Sequence, residues 1–270
     1  MRLLHVLLSA AALALFAGPL IAHEGWLSPD AFHLAAGGTV HLSLHVGDDF
    51  QGDARPFNTS RTAALYHFSV AGLANALDLV PEPPGINSLE FSQLAPGTHV
   101  FAVDTQSSTI ELPADKFLAY LKAEGLDAIV QLRHDTGHDH APGRERSRRF
   151  VKTIVRVGPA SDDTYAVVAG QQLEIVPASD PFAAHAGAKL SFTVLYDGEP
   201  LAGAEVHAWS QPGAKSGALK GRTDASGSVT FILPQAGSWL VAVVNMIPLR
   251  DVPGLDWESS SASLTFEVAP

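Results

Sequence analysis

The sequence predicts a mainly β protein of two sandwich-like domains, the first carrying one short helix and the second immunoglobulin-like or transthyretin-like. Three observations point there. Val40, Leu42, Leu44 and Val46 alternate with His41, Ser43 and His45, the period of a half-buried strand. Residues 177–270 fall into short apolar runs separated by Gly, Pro, Asp and Ser, the spacing of a small antiparallel sandwich. Only 115–124 joins a helical apolar stripe, Phe117, Leu118 and Leu121, to a stop signal, Gly125.

Ahead of these elements, residues 1–22 combine one charge at Arg2, a leucine- and alanine-rich run to Phe16, and the helix-breaking Gly18-Pro19. That is the pattern of an export signal. Ala22 suits the residue before a cleavage site, although Leu20 stands where a small residue is usual. Cleavage after Ala22 is the expectation, with an uncleaved anchor as the alternative, since only His5 and Ser9 interrupt the run. The mature protein is then expected in the periplasm, peripheral or soluble rather than integral. His23 becomes its first residue and offers an α-amine and an imidazole nitrogen together.

Of the 270 residues, 17 are basic and 28 acidic, a net charge of −11, and losing Arg2 with the leader makes it −12. Such a chain has no electrostatic reason to bind nucleic acid. The absence of cysteine excludes disulfides, thiolate metal sites and a lipid-anchored mature end. Histidine is the unusual component: there are 12, and only His5 leaves with the leader.

The first domain is expected over 23–176. His41 and His45 share the face opposite the aliphatics, about 13 Å apart along a strand. They are too distant to clasp one ion together, but either can join His23. Residues 47–53 read as a polar turn without the ligand spacing of a calcium loop. A strand at 65–70 carries His67, 73–79 is ambiguous, beginning like a helix without a strong cap, and 99–104 is a strand with His99 as a packed or rim residue. After the helix, 126–132 is expected to return to strand. The loop 133–143 then holds His134, His138 and His140 beside Asp135 and Asp139. Imidazole with carboxylate suits nickel, copper, zinc or cobalt, while an ordinary solvated connection has the same composition. The basic run 144–152 is expected to pair with the protein's own carboxylates.

The second domain is expected over 177–270, with strands near 189–196, 204–209, 229–233, 239–245 and 264–268. His185 and His207 are read there as structural or exposed. No serine–histidine–aspartate signature, phosphate loop, dinucleotide fingerprint or His-Glu-x-x-His is present.

Several separated stretches resemble the DUF4198 family, bacterial exported proteins of which some are described as periplasmic components of nickel or cobalt uptake. They are Ala22-His23-Glu24-Gly25-Trp26-Leu27-Ser28-Pro29, Gly47-Asp48-Asp49-Phe50, and Phe117-Leu118-Ala119-Tyr120-Leu121-Lys122-Ala123-Glu124-Gly125-Leu126-Asp127. The arginine-rich 146–152 run, Gly198-Glu199-Pro200-Leu201-Ala202-Gly203-Ala204-Glu205-Val206 and Thr223-Asp224-Ala225-Ser226-Gly227 complete the set. The resemblance covers nearly all of the mature chain and implies one site residue, His23.

The leading expectation is a periplasmic transition-metal binding protein, for nickel, cobalt, copper or zinc, that supports uptake or delivery to an inner-membrane metal transporter. His23 anchors the site, with His41, His45, His67, His134, His138 or His140 completing it. Catalysis is not required. A copper-dependent oxygenase built on the N-terminal histidine is the enzymatic alternative and needs a flat exposed copper surface. A structural or adhesive β protein without metal is the third, with Trp26, Trp239 and Trp257 as core or interface residues.

Overall fold

A computed structural model describes residues 24–211 and 218–270; residues 1–22, expected to be a leader, His23 and residues 212–217 lie outside the described residues. In chain order the first half contributes β1 (Glu24–Pro29), β2 (His33–Leu34), β3 (Val40–Asp48), β4 (Gln51–Arg55), β5 (Thr62–Ser69), β6 (Gly72–Asn75), β7 (Leu89–Phe91), β8 (Gly97–Thr105) and β9 (Ser108–Leu112). Helices α1 (Ala114–Ala123) and α2 (Asp127–Asp135) precede the long β10 (Gly143–Val157). The second half adds β11 (Leu173–Pro177), β12 (Lys189–Tyr196), β13 (Glu199–Pro200), β14 (Glu205–Gln211), β15 (Leu219–Arg222), β16 (Ser228–Ile232), β17 (Gly237–Pro248) and β18 (Trp257–Val268).

A central ten-stranded sheet runs β15-β14-β17-β18-β10-β8-β5-β6, with β2 and β9 also paired to β10. Two four-stranded sheets cover it, one of β1, β3, β4 and β7, the other of β11, β12, β13 and β16. Alternation along β8 and β10 decides which core each side chain enters. Phe101, Val103, Val151 and Val155 join Leu27, Val40, Leu42 and Leu44. Their neighbours Val100, Ala102, Phe150 and Ile154 join Ile175, Leu190, Phe192 and Phe231. The small sheets therefore pack on opposite faces of the central one. Each large apolar side chain buried this way contributes roughly 1.5–3 kcal/mol.

The halves are fused rather than strung together. β10 pairs parallel with β18 from Glu145↔Trp257 to Thr153↔Thr265. β11 pairs with β12 over Leu173↔Tyr196 to Pro177↔Phe192. The strand before residue 177 is thus the first strand of the second sandwich, and the proline-flanked turn after it joins that strand to the next. Within this half, β11-β12-β16 face β15-β14-β17-β18, the strand order of a small immunoglobulin-like sandwich.

One expectation needs correction. Residues 126–132 belong to a second helix, α2, not to a strand. The Ile129-Val130 pair has strand character, but Ile129 and Arg133 recur at helical spacing and are the buried residues of α2. Residues 73–79 are shared between β6 and a single 3₁₀ turn, Leu77–Leu79. The basic run lies on β10 and pairs with the protein's own carboxylates, as expected. Arg144 makes a two-pronged contact with Asp256 at 2.7 and 2.9 Å, Arg146 pairs with Glu258, and Lys152 reaches Glu174 at 2.6 Å in the interior. Among the described residues no helix is long and apolar enough to cross a membrane.

Candidate functional site

The site forms where the chain enters the fold. β1 pairs with β3 from Glu24↔Gly47, through Gly25↔Val46, to Trp26↔His45. Gly25 is needed for close approach: a Cβ there would lie 2.7 Å from Cδ of Arg149, whose side chain crosses the strand. Trp26 meets the edge of Phe50 at 5.4 Å. Phe50 and Asp49 form the tip of the β3–β4 hairpin with φ of 60° and 52°. That tip docks on β14, where Asp49 accepts from Trp209 Nε1 at 3.1 Å and the Phe50 carbonyl accepts from Gln211.

From the other side, the last turn of α1 delivers Tyr120 and Glu124. Gly125 ends it with φ +64, and a Cβ there would come within 2.6 Å of Glu205 on β14. Three of the stretches that resemble the family, 22–29, 117–127 and 146–152, thus contribute walls to one cavity of about 240 Å³. Its walls include Glu24, Tyr120, Glu124, Glu145, Arg149 and His207.

Negative charge is concentrated here and only partly balanced. Glu124 is 8% exposed. Burial, reinforced by the carboxylate of Glu24, pushes its pKa up to about 8. Burial also raises Glu145, although Ser259 donates to it and Arg149 opposes the rise. Tyr120 is held well above its usual range by burial and by Glu145. His207 is lowered by burial, against a hydrogen bond to Glu205 at 3.0 Å. Glu205 is partly buried, which acts to raise it. The contacts with His207 and with Lys220 at 3.0 Å outweigh this and leave it below the usual carboxylate range. Glu205 is therefore an anion that orients His207: the ring donates from Nε2, leaving Nδ1 as its lone-pair nitrogen.

The histidines singled out from sequence are dispersed. His23 lies outside the described residues. His41 Nδ1 is 2.9 Å from Asp30 and Nε2 is 3.6 Å from Glu90, and the Asp30 hydrogen bond raises its pKa, favouring the imidazolium that cannot ligate. His45 stacks on Trp26 at 5.6 Å. His67 Nε2 lies 2.7 Å from His99 Nδ1, and His99 Nε2 is 2.8 Å from the Ala95 carbonyl. That chain of contacts fixes both tautomers, with His99 donating to Ala95 and His67 donating to His99. Burial lowers His67 to about 4. His134 Nδ1 faces Asp139 at 3.1 Å, His138 Nδ1 faces Thr136 at 3.0 Å, and His140 is exposed. Among the described residues no three His, Cys, Asp or Glu side chains form a group able to hold a metal.

Sequence reasoning passed over Glu124, Glu145, Glu205 and His207. For the last two a signal existed, since residues two apart on a strand share a face. For Glu124 there was none, because its burial comes from β14 and β1 rather than from its own helix.

The model of the family described as a domain of unknown function, DUF4198, matches residues 20–247, and the chain belongs to that family. No curated protein matches it. Among solved structures it is similar to the D0-D1 domain of intimin, at 14% identity and TM-score 0.22, covering 90% of this chain and 99% of that one. It is similar also to a two-domain fibronectin type-III segment of chicken tenascin, at 11% identity and TM-score 0.24, covering 90% and 97%.

Proposed function

We propose that this member of the DUF4198 family is an exported periplasmic protein that binds a transition-metal ion, nickel, cobalt or copper, and supports its uptake or delivery to an inner-membrane transporter. The observation that carries the reading is the cavity at the start of β1, where Glu24, Glu124, Glu145 and His207 share one wall system. Carboxylates taken out of water are costly unless a cation accompanies them. With no cysteine in the chain, the donors are oxygen and imidazole nitrogen, which suit those metals. His23 directly precedes Glu24 in the sequence, and Glu24 lines the cavity. Removal of the leader after Ala22 adds an α-amine at that point. A concave cavity also supports capture of an ion rather than oxidation of a substrate on a flat copper surface.

The test begins with the intact mass of the exported protein. Nickel(II), cobalt(II) and copper(II) are then titrated calorimetrically into the processed species, into its His23→Ala variant, and into a form with one extra residue ahead of His23. Binding by the first and its loss from the other two is the expected result. Undiminished binding by His23→Ala, or no binding by the processed protein, overturns the reading.

A further inference from the structure

A second cavity, of about 470 Å³, lies where the end of α2 meets the turn between β17 and β18. We infer that it binds a small organic monocarboxylate, whose charged end is held by Arg133 and Arg250 beside the Trp257 indole. The apolar body of the ligand rests on Leu132, Pro142, Pro248 and Leu249, which line the same cavity. No wall residue is shared with the cavity behind β1, so this site stands or falls independently of the metal reading.

Backbone hydrogen bonds fix the frame. Leu249 N–H donates to the Asp256 carbonyl and Asp256 N–H to the Arg144 carbonyl, both at 2.8 Å, which ties the turn to the start of β10. At the opposite rim the N–H groups of Thr136 and His138 donate to the carbonyls of Leu132 and Arg133 at 3.1 and 2.8 Å, closing the end of α2. A preformed concavity of this size, mostly apolar with a few convergent polar groups, is the usual form of a small-molecule site.

The charges on its walls select the ligand. Arg133, Arg144 and Arg250 face Glu111 and Asp256, a positive excess on a chain of net charge −11. Arg144 is committed to Asp256 by the two-pronged contact, which leaves two guanidinium groups against Glu111. One unit of excess matches a monoanion, whereas a dianion such as phosphate would meet uncompensated repulsion from Glu111. Arg133 is 3% exposed, donates to the Ala141 carbonyl at 2.6 Å and lies over the Phe117 ring at 4.8 Å. A desolvated guanidinium gains from an anion, and its planar fork fits a carboxylate. Trp257 supplies an independent sign of a missing acceptor. It is 7% exposed, and its buried Nε1 has no hydrogen-bond partner among the described residues. Buried indole N–H groups ordinarily find one, and a carboxylate oxygen would serve.

The experiment titrates phenylacetate and hexanoate into the full chain and follows the indole N–H resonances by NMR, that of Trp257 being assigned by its loss in Trp257→Phe. Calorimetry gives the affinities. Both carboxylates are expected to shift the Trp257 resonance, while 2-phenylethylamine and inorganic phosphate leave it in place. Arg133→Gln and Arg250→Ala should each weaken phenylacetate binding roughly tenfold or more, and Trp257→Phe roughly threefold. Should Arg133→Gln fail to fold, Arg250→Ala, on the exposed turn, carries the test. No shift of the Trp257 resonance by either carboxylate at about 10 mM overturns the inference. So does equal binding of the amine or of phosphate, or binding by Arg250→Ala within twofold of the parent.

Discussion

The cavity behind β1 and the histidine-rich segment at 134–140 hold similar side chains in opposite circumstances. In the segment, His134 is paired with Asp139, but their side chains are 70% and 44% exposed, and each group keeps most of its water. In the cavity, Glu124, Glu145 and His207 are all under 9% exposed and come from three different elements, α1, β10 and β14. Water satisfies the first set at no cost. The second set has lost most of its water, and burial raises Glu124 and Glu145 and lowers His207. Density of donors in sequence measures local composition, whereas a site requires convergence and desolvation.

Glycines at the two helix ends give the largest contrast. Gly125 and Gly137 follow α1 and α2 with φ of 64° and 70°, but a Cβ would strike Glu205 at the first and meet open space at the second. Gly125→Val is expected to cost about 4 kcal/mol, combining left-handed strain with overpacking, and Gly137→Val about 2 kcal/mol from strain alone. Equal shifts in urea midpoint would mean that the α1–β14 contact carries no tension and that the cavity wall is loose.

The buried histidine pair sharpens the same comparison through pH. His67 titrates near 4 in the folded protein against about 6.5 unfolded. Between those values the unfolded chain binds more protons, so this contribution falls as pH drops from 6.5 towards 4, by about 3 kcal/mol in total. His67→Gln should flatten that part of the urea-stability profile relative to the parent. Parallel profiles for the two proteins between pH 7 and 4 would show that His67 is not desolvated as its contacts indicate.

The smallest effect belongs to the exposed segment. Replacing His134, His138 and His140 together with alanine should change stability by no more than about 0.5 kcal/mol, measured by thermal or urea unfolding. A loss above 2 kcal/mol would place these side chains in a packed or coordinated structure and erase the contrast with the cavity.

Strand alternation at Val40–Val46, the helical stripe ending at Gly125 and the turn-punctuated second half were legible because each depends on residues within a few positions of one another. The self-pairing of the basic run was legible too, from charge balance alone. The Ile129-Val130 pair misled because two β-branched residues fit either element, and only packing of Ile129 and Arg133 settles the choice. The fusion of the halves through β10 and β18, and the meeting of Glu24, Glu124, Arg149 and His207, were decided by tertiary structure alone. Sequence by itself determined the β class, and it raised the expectations of an export leader and of His23 as the residue of interest. Which side chains surround the entry of β1 depends on contacts between residues up to 238 apart (Glu24 to Ala262). Burial of those groups is a property of the assembled sheets, and no local pattern encodes it.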